Sequence, residues 1–177
     1  MKTVALSLWC VWIFAASSAE AQSANPMTDS LKGMLGTVRG YLTKTAEQVA
    51  EENYAFKPTP DVRSLGSVIG HVADSNYFFC SIASGAANPM KDTSLEKTKT
   101  SKADLQKALA DSFAYCDAQL ATITDARGTT ELVELFGNKH PRLGVFTLNI
   151  AHDFEHYGNL VTYMRLKGQV PPSSQGM

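Results

Sequence analysis

An all-α fold, a four-helix bundle with a long crossover connection, is predicted by three features of the sequence. Four segments carry apolar residues at three- and four-residue intervals, and the stretches between them are rich in Pro, Gly, Ser, Thr and Asn. Two of the connections, about Gly85 to Thr100 and about Thr124 to Arg142, exceed the roughly 2–8 residues that usually join neighbouring helices. At least one of them is therefore expected to cross the bundle.

The first helix is expected from about Thr28 to Ala50, with Leu31, Met34, Leu35, Val38, Tyr41, Leu42 and Val49 on one face. Pro58 and Pro60 stop it downstream. The second begins at Ser64, a good N-cap, and runs to Gly85 with an inner stripe of Val68, His71, Ser75, Phe78 and Ile82. Ser101 followed by Asp104 reads as a capping box for the third, whose apolar face is Leu105, Leu109, Phe113, Cys116, Leu120 and Ile123. The fourth is expected from about Leu143 to Lys167, closed by Gly168 and then Pro171-Pro172. Glu131 to Phe136 reads equally as a short strand or a helical turn. The tail from Pro171 to Met177 reads as loose chain.

With 177 residues, 44% hydrophobic and 19% charged, the chain fits one soluble domain, assigned here to residues 22–177. A formal net charge of -1 supplies no basic field for nucleic acid or an anionic membrane, so neither is an expected partner. Residues 1–21 read as a signal peptide: Lys2, an apolar run from Val4 to Ala16, then Ala19-Glu20-Ala21 for cleavage after Ala21. The run is shorter than the roughly 20 residues that span a bilayer, although an uncleaved anchor is the alternative. The mature chain is thus expected to be periplasmic or secreted, with no membrane segment. Cleavage leaves Cys80 and Cys116 as the only cysteines, which in an oxidising compartment predicts a disulfide.

His152 and His156 stand four apart on the fourth predicted helix, so their rings lie one above the other. The same face carries Val145, Leu148, Asn149, Asn159, Leu160 and Tyr163, which turns the pair inward. Buried imidazoles need partners for their nitrogens, and a divalent cation suits neutral imidazole. Two helical histidines at this spacing also arise by chance, but His71 lies on the inward stripe of the second helix and makes a third. His140, beside Pro141 in a loop, is expected to be solvated or capping.

The string from His152 to His156 also fits H-x-x-E-H, the inverted zinc-peptidase pattern with Glu155 as base. Such enzymes take another ligand well downstream, and the short tail after His156 leaves no room for one. Glu155 falls about 60° and Asp153 about 100° off the histidine face, so both are expected to flank or orient the site as solvated or outer carboxylates. Tyr163 and Asn159 are further candidates to line a pocket beside it.

The segment Glu51-Glu52-Asn53-Tyr54-Ala55-Phe56-Lys57-Pro58-Thr59-Pro60, then Ser64-Leu65-Gly66 with His71, resembles the DinB-like superfamily of metal-associated proteins. So does Ala151-His152-Asp153-Phe154-Glu155-His156-Tyr157-Gly158-Asn159-Leu160, and so does the ending Tyr163 to Pro172. The likeness spans essentially the whole mature chain. It implies a four-helix bundle with a long crossover and a three-histidine site with one ligand from the second helix and two from the last. Those positions fall on His71, His152 and His156, the three that spacing had singled out.

Three imidazoles leave at least one coordination position open, the pattern of a catalytic zinc site, although nickel, iron or copper suits imidazole as well. The resemblance implies thiol-dependent transferases, isomerases or hydrolases, and export would part this chain from cytoplasmic thiols. The leading expectation is a divalent-metal-dependent enzyme, hydrolase- or transferase-like, on a small molecule. A non-catalytic metal binder and a structural bundle are the alternatives. A second stripe on the last helix, Phe146, Ile150, Phe154, Tyr157, Val161 and Met164, suits either packing inside the chain or a homodimer.

Overall fold

Pro26 opens the first helix, where its missing N–H costs nothing, and α1 (Pro26–Gln48) turns Leu31, Leu35, Val38, Leu42 and Ala46 into the core. The structure, a computed structural model, describes residues 23–176, so the predicted signal peptide over residues 1–21 lies outside the described residues. A 3₁₀ turn (Glu51–Asn53) leads towards α2 (Leu65–Ser84). The Ser64 side chain accepts from the Ser67 amide at the start of α2, and Gly85 ends it in the left-handed conformation at φ 82. Ser101 caps α4 (Lys102–Leu120) by accepting from the Asp104 amide. Each such cap stabilises its helix by about 1 kcal/mol. The last and longest helix, α6 (Arg142–Leu166), is followed by Gly168 at φ 71.

Contacts between helices fix their directions. Asn76 donates to Ser112 and Cys80 is bonded to Cys116, so α2 and α4 run parallel. Arg39 pairs with Asp117 while Gln106 donates to the Ala46 carbonyl, which makes α1 antiparallel to α4. Asn149 meets Asn76 and the Tyr163 hydroxyl meets the Arg63 carbonyl, so α6 runs against α2. The four helices therefore go up, down, down and up, and the segment between α2 and α4 is the crossover that the connection length predicts.

That crossover returns along the outside of α2 and carries one short turn, α3 (Leu95–Thr98). Asp74 fixes it there, accepting from the backbone amides of Leu95 (2.7 Å) and Glu96 (3.1 Å). The second long connection holds α5 (Asp125–Thr130) and a hairpin of β1 (Leu132–Leu135) and β2 (Asn138–Pro141). Glu131 to Phe136 thus resolves into a strand, paired Leu132 to Pro141 and Leu135 to Asn138. Its two-residue turn is Phe136-Gly137, both at positive φ (51 and 78), the backbone of a type I′ hairpin.

Leu35, Val38, Leu42, Val72, Phe113 and Leu160 fill the middle of the bundle. A polar layer crosses it, with Asn149 donating to Asn76 (2.8 Å) and Asn76 to Ser112 (3.1 Å) beside the disulfide. The second apolar stripe of α6 is covered within the chain: Phe146, Ile150, Tyr157 and Met164 are buried, and Tyr157 stacks on Tyr41 of α1 at 4.9 Å. Phe154 and Val161 of the same stripe are half-buried. The tail is tied down instead of loose, because Pro172 is buried and Ser173 exchanges two hydrogen bonds with the Tyr157 hydroxyl. Among the described residues, no helix is long and apolar enough to cross a membrane.

Candidate metal centre

The antiparallel pairing of α2 and α6 sets His71 opposite His152 and His156. The Nε2 atoms of His71 and His152 are 3.2 Å apart, and those of His156 and His152 are 3.0 Å apart. One ligand atom from each of the three residues lies within 4.8 Å of the others. Nitrogens bound tetrahedrally to one zinc at about 2.0–2.1 Å would be roughly 3.3 Å apart, so the spacing suits a shared cation. His156 is buried, while His71 and His152 are half-buried. The cluster therefore sits at the rim of the bundle with one side open.

Protons alone do not satisfy these nitrogens. Nδ1 of His71 faces Glu96 Oε2 at 3.3 Å, which favours the tautomer with its proton on Nδ1 and leaves a lone pair on Nε2. Nε2 of His152 faces two other Nε2 atoms and can donate to one of them only. Its own Nδ1 is buried without a hydrogen-bond partner. An electron-pair acceptor between the three rings removes the conflict among the Nε2 atoms, with the proton of His152 then on Nδ1. Charge state agrees: burial pushes His152 down to about 4, helped by the neighbouring His156. Burial, with Arg63 and His152 nearby, also lowers His71, and burial followed by the proximity of His71 lowers His156. All three are neutral donors at neutral pH.

Glu96 reaches the site because the crossover lies hard against α2. Gly70 permits that approach, since a Cβ there would come within 2.7 Å of the Glu96 Cα. Arg63 donates to the other carboxylate oxygen of Glu96 at 2.9 Å, so His71, Glu96 and Arg63 form a chain from the cluster to the surface. On the other helix, the Asn159 side-chain amide lies 3.4 Å from Nδ1 of His156.

Two clefts open beside the cluster. One, of about 550 Å³, runs from His71 and His152 along Phe78, Phe79, Phe136 and Leu148 and is largely apolar. The other, of about 540 Å³, is polar and passes His156, Arg63, Glu96, Asn159 and Tyr163. Glu155 lines both and is exposed.

The structure thus gathers the three histidines expected from the sequence and leaves His140 out, on β2 opposite Val133. Two expectations need correction. The stripe of α2 that holds His71 is its inner face only in part: Val68 and Ser75 are buried, but His71 and Ile82 are half-buried and Phe78 is 39% exposed, while Leu65, Ile69, Val72, Asn76, Cys80 and Ala83 also face the core. α2 is packed by α3, α4 and α6, so it is apolar nearly all round and periodicity does not select its core side. Asp153 is not a solvated or flanking carboxylate. Because the histidine face is at the rim, a turn of about 100° from it points into the core, where Asp153 is fully buried with neither oxygen hydrogen-bonded. Burial raises its carboxyl well above the usual range. Glu96 lies on the crossover, and Arg63 lies in the connection just before α2, so neither falls on a periodic helical face that would point it at the histidines. The Ser94 cap that starts α3 was the one local signal that the connection held structure.

A bundle that brings three neutral imidazoles together from two antiparallel helices, one braced by a carboxylate, defines a class of helical protein whose rim could hold a metal ion. The chain belongs to the DinB superfamily, whose family model matches residues 34–160. It is 27% identical over 131 residues to YjoA of Bacillus subtilis (strain 168), covering 73% of this chain and 84% of YjoA. The crystal structure of that DinB-like protein superposes with a TM-score of 0.67 at 23% identity, over 84% of this chain and 99% of YjoA. A DinB-like protein from Bacillus cereus gives 0.64 at 21% identity, over 80% and 95% of the two chains. A conserved protein from Enterococcus faecalis gives 0.65 at 18% identity, over 78% and 95%. These three structures share the fold.

Proposed function

We propose that this chain is an exported, divalent-metal-dependent enzyme acting on a small molecule, with His71, His152 and His156 holding one ion. The observation that carries the reading is the convergence of three Nε2 atoms on a point whose open side meets two clefts. A closed structural site would have no use for such access. A bound divalent ion supplies Lewis acidity and a water of lowered pKa, the chemistry of hydrolases. Glu155, at the mouth of both clefts, is placed to take up or return a proton, and Arg63 and Asn159 are placed to bind polar groups of a substrate. The signal-like residues 1–21 and the Cys80–Cys116 bond support export, which favours hydrolysis over transfer from a cytoplasmic thiol.

The test is elemental analysis of the protein purified from its export compartment and dialysed. One divalent ion per chain, zinc, nickel, iron or copper, is expected, together with turnover of a panel of small esters, amides and lactones that a chelator abolishes. Absence of any stoichiometric metal would overturn the reading. Metal without turnover would recast the chain as a metal-binding protein.

A further inference from the structure

The apolar cleft contains a residue that the fold does not explain. Phe136 occupies the first position of the Phe136-Gly137 turn at φ 51, a left-handed conformation in which Asn or Gly is favoured and Phe is strained. Its ring is 73% exposed, so little burial offsets that strain. The ring nevertheless has a definite place. It stacks on Phe78 at 5.9 Å and meets Phe79 edge-on at 6.3 Å, and Phe79 in turn lies 5.7 Å from the ring of His152. Phe78 and Leu148 are themselves 39% and 41% exposed. An aromatic wall held over an open apolar floor, ending at two of the three histidines, is the build of a ligand cleft.

We propose that the substrate of the histidine centre is amphipathic: an uncharged aromatic or branched aliphatic body lies against Phe136 and Phe78, and a polar, metal-ligating group at one end reaches the histidines. This rests on the metal-dependent reading above and adds the substrate class to it. The cleft volume of about 550 Å³ falls in the range of roughly 300–1,000 Å³ typical of small-molecule sites. Among the described residues, the ionisable side chains lining it besides the histidines are Asp74 and Glu155, so a negatively charged body is disfavoured. Asp74 is already engaged by Ser94 and by the amides of Leu95 and Glu96, which leaves the middle of the cleft apolar. Continuity with the histidines argues for a small molecule over a protein surface.

The experiment compares two hydroxamates, which share one metal-binding head, on the metal-loaded protein by calorimetry: acetohydroxamate and phenylacetohydroxamate. The aromatic body is expected to tighten binding at least tenfold. Phe136→Asn places the favoured residue in the turn, so the variant is expected to melt no lower than the wild type while losing that gain and leaving acetohydroxamate affinity unchanged. Equal affinity of the two probes for the wild type, or a gain that survives both Phe136→Asn and Phe78→Ser, would overturn the proposal. Metal content measured on the same samples separates the two failures, because a chain that takes up no metal defeats the reading under Proposed function. In that event binding of N-phenyl-1-naphthylamine, an uncharged fluorophore, still decides the cleft: it is expected in the wild type and lost in Phe136→Asn. A dimer that depends on Phe136 in sedimentation would assign the patch to a second copy and also overturn the proposal.

Discussion

Glu96 Oε2 lies 3.3 Å from Nδ1 of His71, although the two residues belong to different elements and the carboxylate comes from the crossover. This contact orients the ring and keeps its Nε2 lone pair directed at the other two histidines. Partners of this kind typically change metal affinity by about 10–100-fold. Glu96→Ala is expected to weaken metal binding within that range while keeping the stoichiometry. Glu96→Gln, which retains an acceptor oxygen, is expected to weaken it less. Competition with a chelator of known affinity checks both, and an unchanged affinity in Glu96→Ala would show that the contact does not brace the site.

Gly70 allows the crossover to lie where Glu96 can make that contact, because an added Cβ would stand 2.7 Å from backbone. Gly70→Ala sets two effects against each other. Helix propensity favours Ala by about 1 kcal/mol, while an overlap with backbone that cannot swing aside costs about 1–3 kcal/mol. The second effect is expected to win, lowering stability in urea titration and loosening the metal site through displacement of Glu96. A more stable variant with native metal affinity would mean that the crossover is free to shift.

Three of the four long helices were legible because Ser64, Gly85, Ser101 and Gly168 mark their ends with local chemistry, and α1 was legible from the spacing of Leu31, Leu35, Val38 and Leu42. The histidine cluster was legible because two members share one helix and the third sits on a helix with its own clear cap. What was not legible is which side of α2 and α6 faces the core. Both are covered on several sides, so Asp153 and Phe78 could be placed only by the packing of the other helices. Glu96, Arg63 and Phe136 depend on the path of connections, and a path is set by tertiary contacts such as Asp74 capping α3.

Cys80 and Cys116 join α2 to α4 across a separation of 36 residues. In the chain-entropy account, closing a loop of that size stabilises the fold by about 4 kcal/mol. Reduction, or the double Cys80→Ala and Cys116→Ala variant, is expected to lower the melting temperature of the chain lacking residues 1–21 markedly. Thiol titration of the denatured, unreduced protein is expected to find no free thiol. Two thiols per chain would show that the bridge does not form.

Asp153 imposes a pH dependence whose sign is fixed. Its folded carboxyl titrates well above the 3.8 of the exposed group, so below that pH both states are protonated and nothing is lost. As pH rises past 3.8, the unfolded chain ionises while the folded chain holds its proton, and folding is opposed progressively until the raised folded value is passed. Asp153→Asn removes the linkage. Its stability relative to wild type is expected to grow as pH rises above about 4, measured by denaturant unfolding of the metal-free proteins. A difference independent of pH would show that Asp153 ionises within the fold.

His71, His152 and His156 are expected to act as a unit, whereas His140, on the hairpin, is not. Removing any one of the three leaves two ligands, which rarely hold zinc tightly. An ion that binds only the folded state stabilises it by about 2.7 kcal/mol at a hundredfold excess over Kd, so chelation is expected to lower the melting temperature of the wild type and of His140→Ala. In His71→Ala, His152→Ala and His156→Ala the chelator is expected to change nothing, because there is no bound ion to remove. Metal-free His71→Ala and His152→Ala are also expected to melt no lower than the metal-free wild type, since His71 and His152 are half-buried at the rim and add little to the core. A structural role makes the opposite prediction: the variants would unfold more easily without metal, and the chelator would leave the wild type unmoved. The direction of those two shifts, read on the same five proteins, decides whether these imidazoles hold a cation or only fill the edge of the bundle.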